Sequence, residues 1–243
     1  MHKTIIFLSL LLLSFSCTSQ FNDSIHHYLH FAATGFFNKT SDGNSYLFNN
    51  VLAFNTKKKR VSFNTAVSWI YGAQEHMLSN NDFNAQGYIN LDKGIHKIYY
   101  WGLLTYDKSY SLKINHRSQV GAGVAYTIID SPFLKINVSN GILYEQVDLT
   151  DAKLGRVIYH GPRNSFRLQY RWSVKDRLMI DGVHFFQPSF AGINDYIVNS
   201  STNVSVRLKK WLSITTAVLY NKVNRTRRDN LLITYGLTIE KFF

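Results

Sequence analysis

The stretch Val61-Ser-Phe-Asn-Thr-Ala-Val-Ser-Trp-Ile-Tyr71 alternates in character at every second residue. Its odd positions carry Val, Phe, Thr, Val, Trp and Tyr, whereas its even positions carry mostly Ser, Asn and Ala. A β-strand places successive side chains on opposite faces, whereas a helix groups every third and fourth residue. The stretch is therefore predicted to be a strand with one apolar and one polar face.

The same alternation recurs along the chain and predicts about twelve strands. Each predicted strand is near or above the length of about 9–11 residues that a tilted strand needs to cross a bilayer. The predicted strands cover residues 26–37, 45–56, 61–72, 82–91, 96–106, 117–128, 132–144, 160–173, 177–187, 194–208, 211–222 and 229–242.

The connections between the predicted strands alternate between long and short. The long ones are Asn38–Asn44, Ala73–Asn81, Asp107–Asn115, Glu145–Gly155, Pro188–Ile193 and Lys222–Arg228. The others are short turns, such as Lys57–Arg60 and Lys209–Lys210. Long loops on one rim and short turns on the other are typical of outer-membrane barrels, whose termini lie on the periplasmic side. We therefore expect an all-β protein, a transmembrane antiparallel up-and-down β-barrel.

Alternation alone does not identify the wet face, because a soluble barrel or sandwich alternates as well. Three features favour lipid outside. The polar face is rich in Ser, Asn, Thr, Gly and Gln rather than Lys and Glu, and aromatic residues such as Trp69 and Trp172 lie near strand ends. The last strand alternates apolar residues and ends on an aromatic, which predicts a signal for the barrel-insertion machinery. The residues of this predicted signal are Tyr235, Leu237, Ile239 and Phe243.

Residues 1–19 are predicted to be a signal peptide, followed by one barrel domain over 20–243. The apolar run from Ile5 to Phe15 is too short to span a bilayer, and small polar residues follow it. Cleavage after Ser19 removes Cys17, the single cysteine; lipidation of Cys17 is the alternative. We expect export to the cell outer membrane.

The composition excludes a disordered chain and favours anionic partners. Of the 243 residues, 45% are hydrophobic and 17% charged, and the formal net charge is +12. An exported basic protein is expected to meet lipopolysaccharide and other outer-membrane lipid rather than nucleic acid. The sequence does not specify an oligomeric state.

The sequence contains no recognisable catalytic, cofactor-binding or metal-binding motif. His26 and His30 lie four apart on a predicted strand, where that spacing does not form a helical ligand pair, and there is no Cys/His cluster. A lipid-acting enzyme is a class alternative, but His184 has no obvious Ser partner and no Gly-x-Ser-x-Gly motif occurs. Gly121 and Gly123 lie within a strand, where small residues packing inside a barrel explain them better than a phosphate loop. We expect no enzyme activity, cofactor or metal.

Strand alternation directs several charged side chains into the lumen. The predicted lumen-lining charges are Lys135, Arg167, Arg171, Arg207, Asp181 and Glu240. Three of the four cations lie toward the periplasmic end, and such a basic ring favours anions in a water-filled pore. Asp181 is expected across a short hairpin from Arg167, close enough to pair with it and close the lumen. Two functions therefore stay open: a small pore, or a structural or stress-related barrel with a plugged lumen.

Several short motifs resemble the salt-induced outer-membrane proteins, a YdiY-like family also described as domain of unknown function 481. These motifs are Gly121–Asp130, Thr40–Asn44, Arg167–Trp172, Asp176–Leu178 and Gln187–Pro188. The likeness covers roughly residues 26–243. It implies a closed outer-membrane barrel and brings no known catalytic residues.

Overall fold

A computed structural model describes residues 27–39, 43–92, 97–151, 154–175 and 177–242. Within these residues the chain forms a closed barrel in which each strand pairs antiparallel with its neighbours in sequence. The strands are β1 His27–Lys39, β2 Asn44–Lys58, β3 Val61–Gln74, β4 Met77–Asp92, β5 Ile98–Ser109, β6 Ile114–Asp130, β7 Leu134–Asp151, β8 Gly155–Val174, β9 Leu178–Ser189, β10 Gly192–Lys209, β11 Leu212–Val223 and β12 Arg228–Phe242. The predicted barrel of twelve strands is confirmed. No helix in the described part of the chain is long and apolar enough to cross a membrane.

The barrel closes between its first and last strands. Their register runs from Tyr28 opposite Phe242 to Gly35 opposite Tyr235. Closure pairs the backbone of both strands and leaves no open sheet edge. An open edge would expose unpaired backbone N–H and C=O groups to lipid, which is energetically costly. We call the end where β1 begins and β12 ends the terminal rim, and the opposite end the distal rim.

Burial along each strand shows which face points into the barrel. On β7, Leu143 and Glu145 are 0% and 1% exposed, whereas Ile142 and Tyr144, which alternate with them, are 59% and 50% exposed. The same alternation holds on the other strands, so the outward face is mainly apolar and the inward face mainly polar. This is the inverse of a soluble barrel and the arrangement of a barrel surrounded by lipid.

The expectation of long loops on the distal rim is wrong. Glu75 and His76 alone connect β3 to β4, and both have positive φ, 50° and 64°, as a two-residue hairpin turn requires. The predicted loop Glu145–Gly155 is mostly strand, because β7 continues to Asp151. Hydrogen bonds between the backbones of neighbouring strands do not require apolar side chains. The strands therefore continue beyond the residues that alternate between apolar and polar. The strands, and not the loops, are long.

The predicted signal peptide 1–19, including Cys17, lies outside the described residues. So does Phe243, the terminal aromatic of the predicted insertion signal. These two assignments stay predictions.

Candidate functional site: the barrel lumen

A buried ion pair lies at the centre of the lumen's polar contacts. Arg163 on β8 donates from Nε to Glu145 Oε1 on β7 at 2.7 Å, and the two side chains are 2% and 1% exposed. The Nη2 atom of Arg163 also lies 2.8 Å from Asp195 Oδ1 on β10. Buried charges are tolerated when they are paired and hydrogen-bonded, as they are in this cluster.

Amides and a second ion pair extend this cluster across neighbouring strands. The Nε2 of Gln119 on β6 donates to Glu145 Oε2 at 2.9 Å and to Gln187 Oε1 on β9 at 3.2 Å. Arg117 on β6 donates from Nε to Asp107 Oδ2 on β5 at 3.0 Å. We call these residues the lumen charge network: Asp107, Arg117, Gln119, Glu145, Arg163, Gln187 and Asp195. The network joins side chains from β5 through β10, about half of the barrel wall.

Apolar side chains occupy the opposite part of the wall. Leu47 on β2, Ile70 on β3 and Leu232 on β12 form a buried cluster, against which Leu219 packs.

Large rings fill the lumen on the terminal side of this network. Trp101 is 4% exposed and packs with Leu103 and Leu143. Its indole lies over Gly123 and Gly141, where any added Cβ would stand 2.6 Å and 2.5 Å from Trp101 Cζ2. These two glycines therefore make room for the indole, as the small-residue interpretation of this region predicted.

Arg167 joins this aromatic layer. Its guanidinium lies 5.6 Å from the Tyr88 ring and 5.7 Å from the Trp101 ring, and its Nε donates to Ser139 Oγ at 3.1 Å. The side chain is buried, so it is part of the packing of the lumen rather than a charge facing a water-filled pore.

The β5–β6 turn folds inward at the distal rim. Ser111 donates from Oγ to Asp82 Oδ2 on β4 at 2.7 Å, and it accepts a bond from Asn230 Nδ2 on β12 at 3.2 Å. Leu112 beside it packs in a buried cluster with Ile114, Val147, Leu149 and Val223. The turn therefore reaches across the mouth of the barrel.

The β11–β12 turn folds inward to meet it. Val223 belongs to the same apolar cluster, and Thr226 is 2% exposed. Arg225 stacks over the Tyr159 ring at 3.8 Å and lies 2.8 Å from Asp195 Oδ2, which links this turn to the lumen charge network. We call the two turns, 110–113 and 223–227, the distal cap.

The terminal end of the lumen is polar and more open. Glu240 on β12 accepts a bond from Tyr28 Oη at 2.7 Å and lies 3.8 Å from His30 Nδ1. Arg207 reaches Glu240 at 3.9 Å, and its side chain is 36% exposed. We call this polar group, together with the exposed Arg171, the vestibule.

The cations predicted to line the lumen lie in different places in the structure and do not form one ring. Lys135 lies at the terminal rim, half-exposed, and pairs with Asp130 at 3.3 Å. Arg171 is exposed and sits in register with Asp181, which accepts a bond from Asn203 Nδ2 at 3.0 Å. The expected partnership of Asp181 with Arg167 is wrong, because the β8–β9 register places Asp181 four positions away.

The sequence reasoning missed most of the lumen charge network. Glu145 was assigned to a loop because the predicted seventh strand stopped at residue 144. Arg163 lies four residues from Arg167 on β8, and Arg117 lies four residues from Gly121 on β6, so strand alternation places both arginines on the inward face. The alternation could therefore have identified them. Asp181 and Glu240 are not the main inward acids, since Asp82, Asp107, Glu145 and Asp195 also point inward.

The residues of the predicted insertion signal lie on the outward face of β12. Tyr235, Leu237 and Ile239 are 61%, 51% and 44% exposed. They face the surroundings of the barrel, where lipid would contact them.

The outward face also carries a histidine–serine contact that the sequence did not reveal. His184 Nδ1 lies 2.7 Å from Ser200 Oγ on the next strand, and the His184 ring stacks on Tyr170 at 5.5 Å. Among the described residues, no carboxylate bonds to the His184 ring. The backbone around Ser200 is paired with β9 and β11, so it presents no free N–H groups for an oxyanion. The contact lacks the other parts of a hydrolase site.

A family model described as "Protein of unknown function, DUF481" matches residues 34–238. The chain belongs to this family. The match spans the barrel from β1 to β12 and includes every residue of the lumen charge network. None of the curated proteins matches this DUF481 chain.

Solved structures share the fold of this DUF481 barrel. The translocator domain of autotransporter NalP from Neisseria meningitidis has 12% identity and a TM-score of 0.51, covering 88% of this chain and 87% of that one. The NanC porin has 7% identity and a TM-score of 0.53, covering 88% of this chain and 99% of that one. At such identities the likeness shows the fold of outer-membrane barrels and nothing finer.

Proposed function

We propose that this DUF481 protein is an outer-membrane β-barrel whose closed lumen makes it a structural barrel and not an open diffusion pore. The observation that carries this proposal is the burial of the Arg163–Glu145 pair, at 2% and 1% side-chain exposure, inside the barrel. A water-filled pore would hydrate such charges instead of excluding water from them.

Two further layers support closure. On the terminal side, Trp101 and Arg167 pack across the lumen wall. On the distal side, the distal cap seals the mouth with apolar contacts around Leu112 and Val223 and with the Arg225–Asp195 pair. Each layer would have to move before a solute could pass.

The location and assembly of the barrel belong to the same proposal. The outward apolar face supports a membrane location, and a predicted signal peptide supports export to the outer membrane. We propose that the terminal rim is periplasmic, that β12 is recognised by the barrel-insertion machinery, and that lipopolysaccharide surrounds the distal half. The motifs quoted above support placing the chain with the salt-induced branch of the family.

Single-channel conductance of the full chain, refolded in detergent and added to a planar bilayer, tests the closed lumen. We expect no discrete conductance steps from the natural sequence. The matched control is Glu145→Ala with Arg163→Ala, which removes the central pair but keeps Asp195 paired with Arg225. Steady ohmic steps from the natural sequence, equal to those of the double variant, would show that the lumen is open.

A second candidate is an anion pore that opens when the distal cap moves. The observation that favours it is the vestibule, where Arg171 is exposed and Arg207 is partly exposed in a polar surrounding. Conductance steps that appear only above a threshold voltage, with anion preference, would favour this candidate over the structural barrel.

A further inference from the structure

The terminal rim carries a concentration of basic side chains. Its described basic residues are Lys57, Lys58, Lys59, Arg60, Lys97, Lys135, Lys175, Arg177, Lys209, Lys210 and Lys241. Its described acids are Asp92, Asp130 and Glu240. Asp130 already pairs with Lys135, and Glu240 faces the lumen, where Arg207 reaches it. Much of the net charge of +12 therefore lies at this one end of the barrel.

The β2–β3 hairpin has the densest of these charges and a distinctive outward surface. Register places Thr56 opposite Phe63 and Lys58 opposite Val61, all on the outward face. These residues, with Lys59 and Arg60, line a groove of ≈ 600 Å³. Val61 and Phe63 are 46% and 41% exposed. The groove thus has an apolar wall directly below a cluster of cations.

The cations of this hairpin are not used in holding the barrel together. Within the described ranges, Lys57, Lys58 and Lys59 form no salt bridge. On the distal rim, by contrast, Arg156 is bound to Asp148 at 2.7 Å and Arg225 to Asp195 at 2.8 Å. Lys58 and Lys59 are exposed at the level where the apolar outer wall ends.

We propose that the β2–β3 hairpin binds an anionic phospholipid from the adjoining leaflet. Its acyl chain would lie along Val61 and Phe63, and its phosphate would lie among Lys58, Lys59 and Arg60. Long basic side chains bury their aliphatic stems and keep the charged group at headgroup level, which suits this position. The inference rests on the membrane location in the proposed function but not on the closed lumen.

Native mass spectrometry of the full chain, refolded in detergent, tests the site. The probes are phosphatidylglycerol and, as the zwitterionic reference, phosphatidylcholine. The test variant is Lys58→Gln/Lys59→Gln/Arg60→Gln. Each cation near an anionic surface changes affinity about fivefold, so the variant should lose up to about a hundredfold in phosphatidylglycerol binding. Phosphatidylcholine binding should stay weak and unchanged.

The matched control is Lys175→Gln/Lys209→Gln/Lys210→Gln, which removes the same charge from other turns of the same rim. Retained phosphatidylglycerol binding in this control supports the hairpin site. Equal loss in both variants, or complete displacement of the lipid by inorganic phosphate, overturns it. Heat-modifiable migration of every variant shows that the barrel is folded, so a failed lipid site is distinguishable from a failed barrel.

Discussion

The indole of Trp101 lies against the lumen wall where Gly141 carries no side chain, and a Cβ at Gly141 would stand 2.5 Å from Trp101 Cζ2. The same Cβ would stand 2.3 Å from the Ala122 carbonyl oxygen on the neighbouring strand. Both contacts are shorter than atoms tolerate. The glycine is therefore required by the ring that fills the lumen and by the close approach of the strands.

Gly141→Ala should lower the free energy of unfolding by about 1–3 kcal/mol, because the added methyl group overpacks this site. Urea unfolding of the refolded barrel in detergent measures the change. Gly161→Ala is the control, since nothing lies within 4 Å of its Cβ position. In a double-mutant cycle, Gly141→Ala should cost less in a Trp101→Ala background than in the natural sequence. An equal cost in both backgrounds would show that the indole does not cause the strain.

Glu145→Gln should destabilise the barrel by about 3–5 kcal/mol, because it leaves Arg163 buried without its main counter-charge. Asp148→Asn, on the same strand, removes the partner of Arg156, which is 68% exposed. That control should cost much less, because solvent screens an exposed ion pair. The free energies of unfolding of the two variants give the comparison, and similar values for both would contradict the buried network.

In a variant loosened in all three layers, Glu145→Ala/Arg163→Ala with Trp101→Ala and Arg225→Ala, the vestibule should set ion preference. Arg171 and Arg207 then face water and favour anions, so adding Arg171→Glu and Arg207→Glu should shift the reversal potential toward cations. The measurement is the reversal potential across a salt gradient in a planar bilayer. An unchanged anion preference would show that these arginines do not form the filter.

Topology can be tested with single cysteines in a Cys17→Ser background. Leu154 lies at the distal rim and is 77% exposed, so Leu154→Cys should react with a membrane-impermeant maleimide on intact cells. Lys59→Cys, at the terminal rim, should react only after the cells are permeabilised. Labelling of Lys59→Cys on intact cells would reverse the proposed orientation.

Tyr235→Asp with Leu237→Asp should reduce the amount of protein assembled in the outer membrane. Each carboxylate on the lipid face costs up to about 2 kcal/mol near the bilayer centre, and less near its surface. Leu231→Asp, nearer the distal end of the same strand, should have a smaller effect. Heat-modifiable protein in membrane fractions is the readout, and normal levels of the double variant would refute the role assigned to β12.

The number of strands, their antiparallel order and the residues that share a face could be predicted from the sequence. The alternation in 61–71 has a period of two, and a shift of one residue would turn every apolar side chain inward, so the pattern specifies the facing strongly. It also assigned Arg167 and Tyr235 to opposite faces, because parity along a strand is a local property.

The contacts that fill the lumen could not be predicted from the sequence. The partners of Arg163 come from β7 and β10, and Ser111 and Asn230 meet from strands far apart in sequence. Such contacts depend on the register and stagger of a closed barrel, which no local pattern encodes. The residues at which the strands end at the distal rim could not be predicted either. Backbone pairing, rather than side-chain alternation, extends these strands beyond the apolar band.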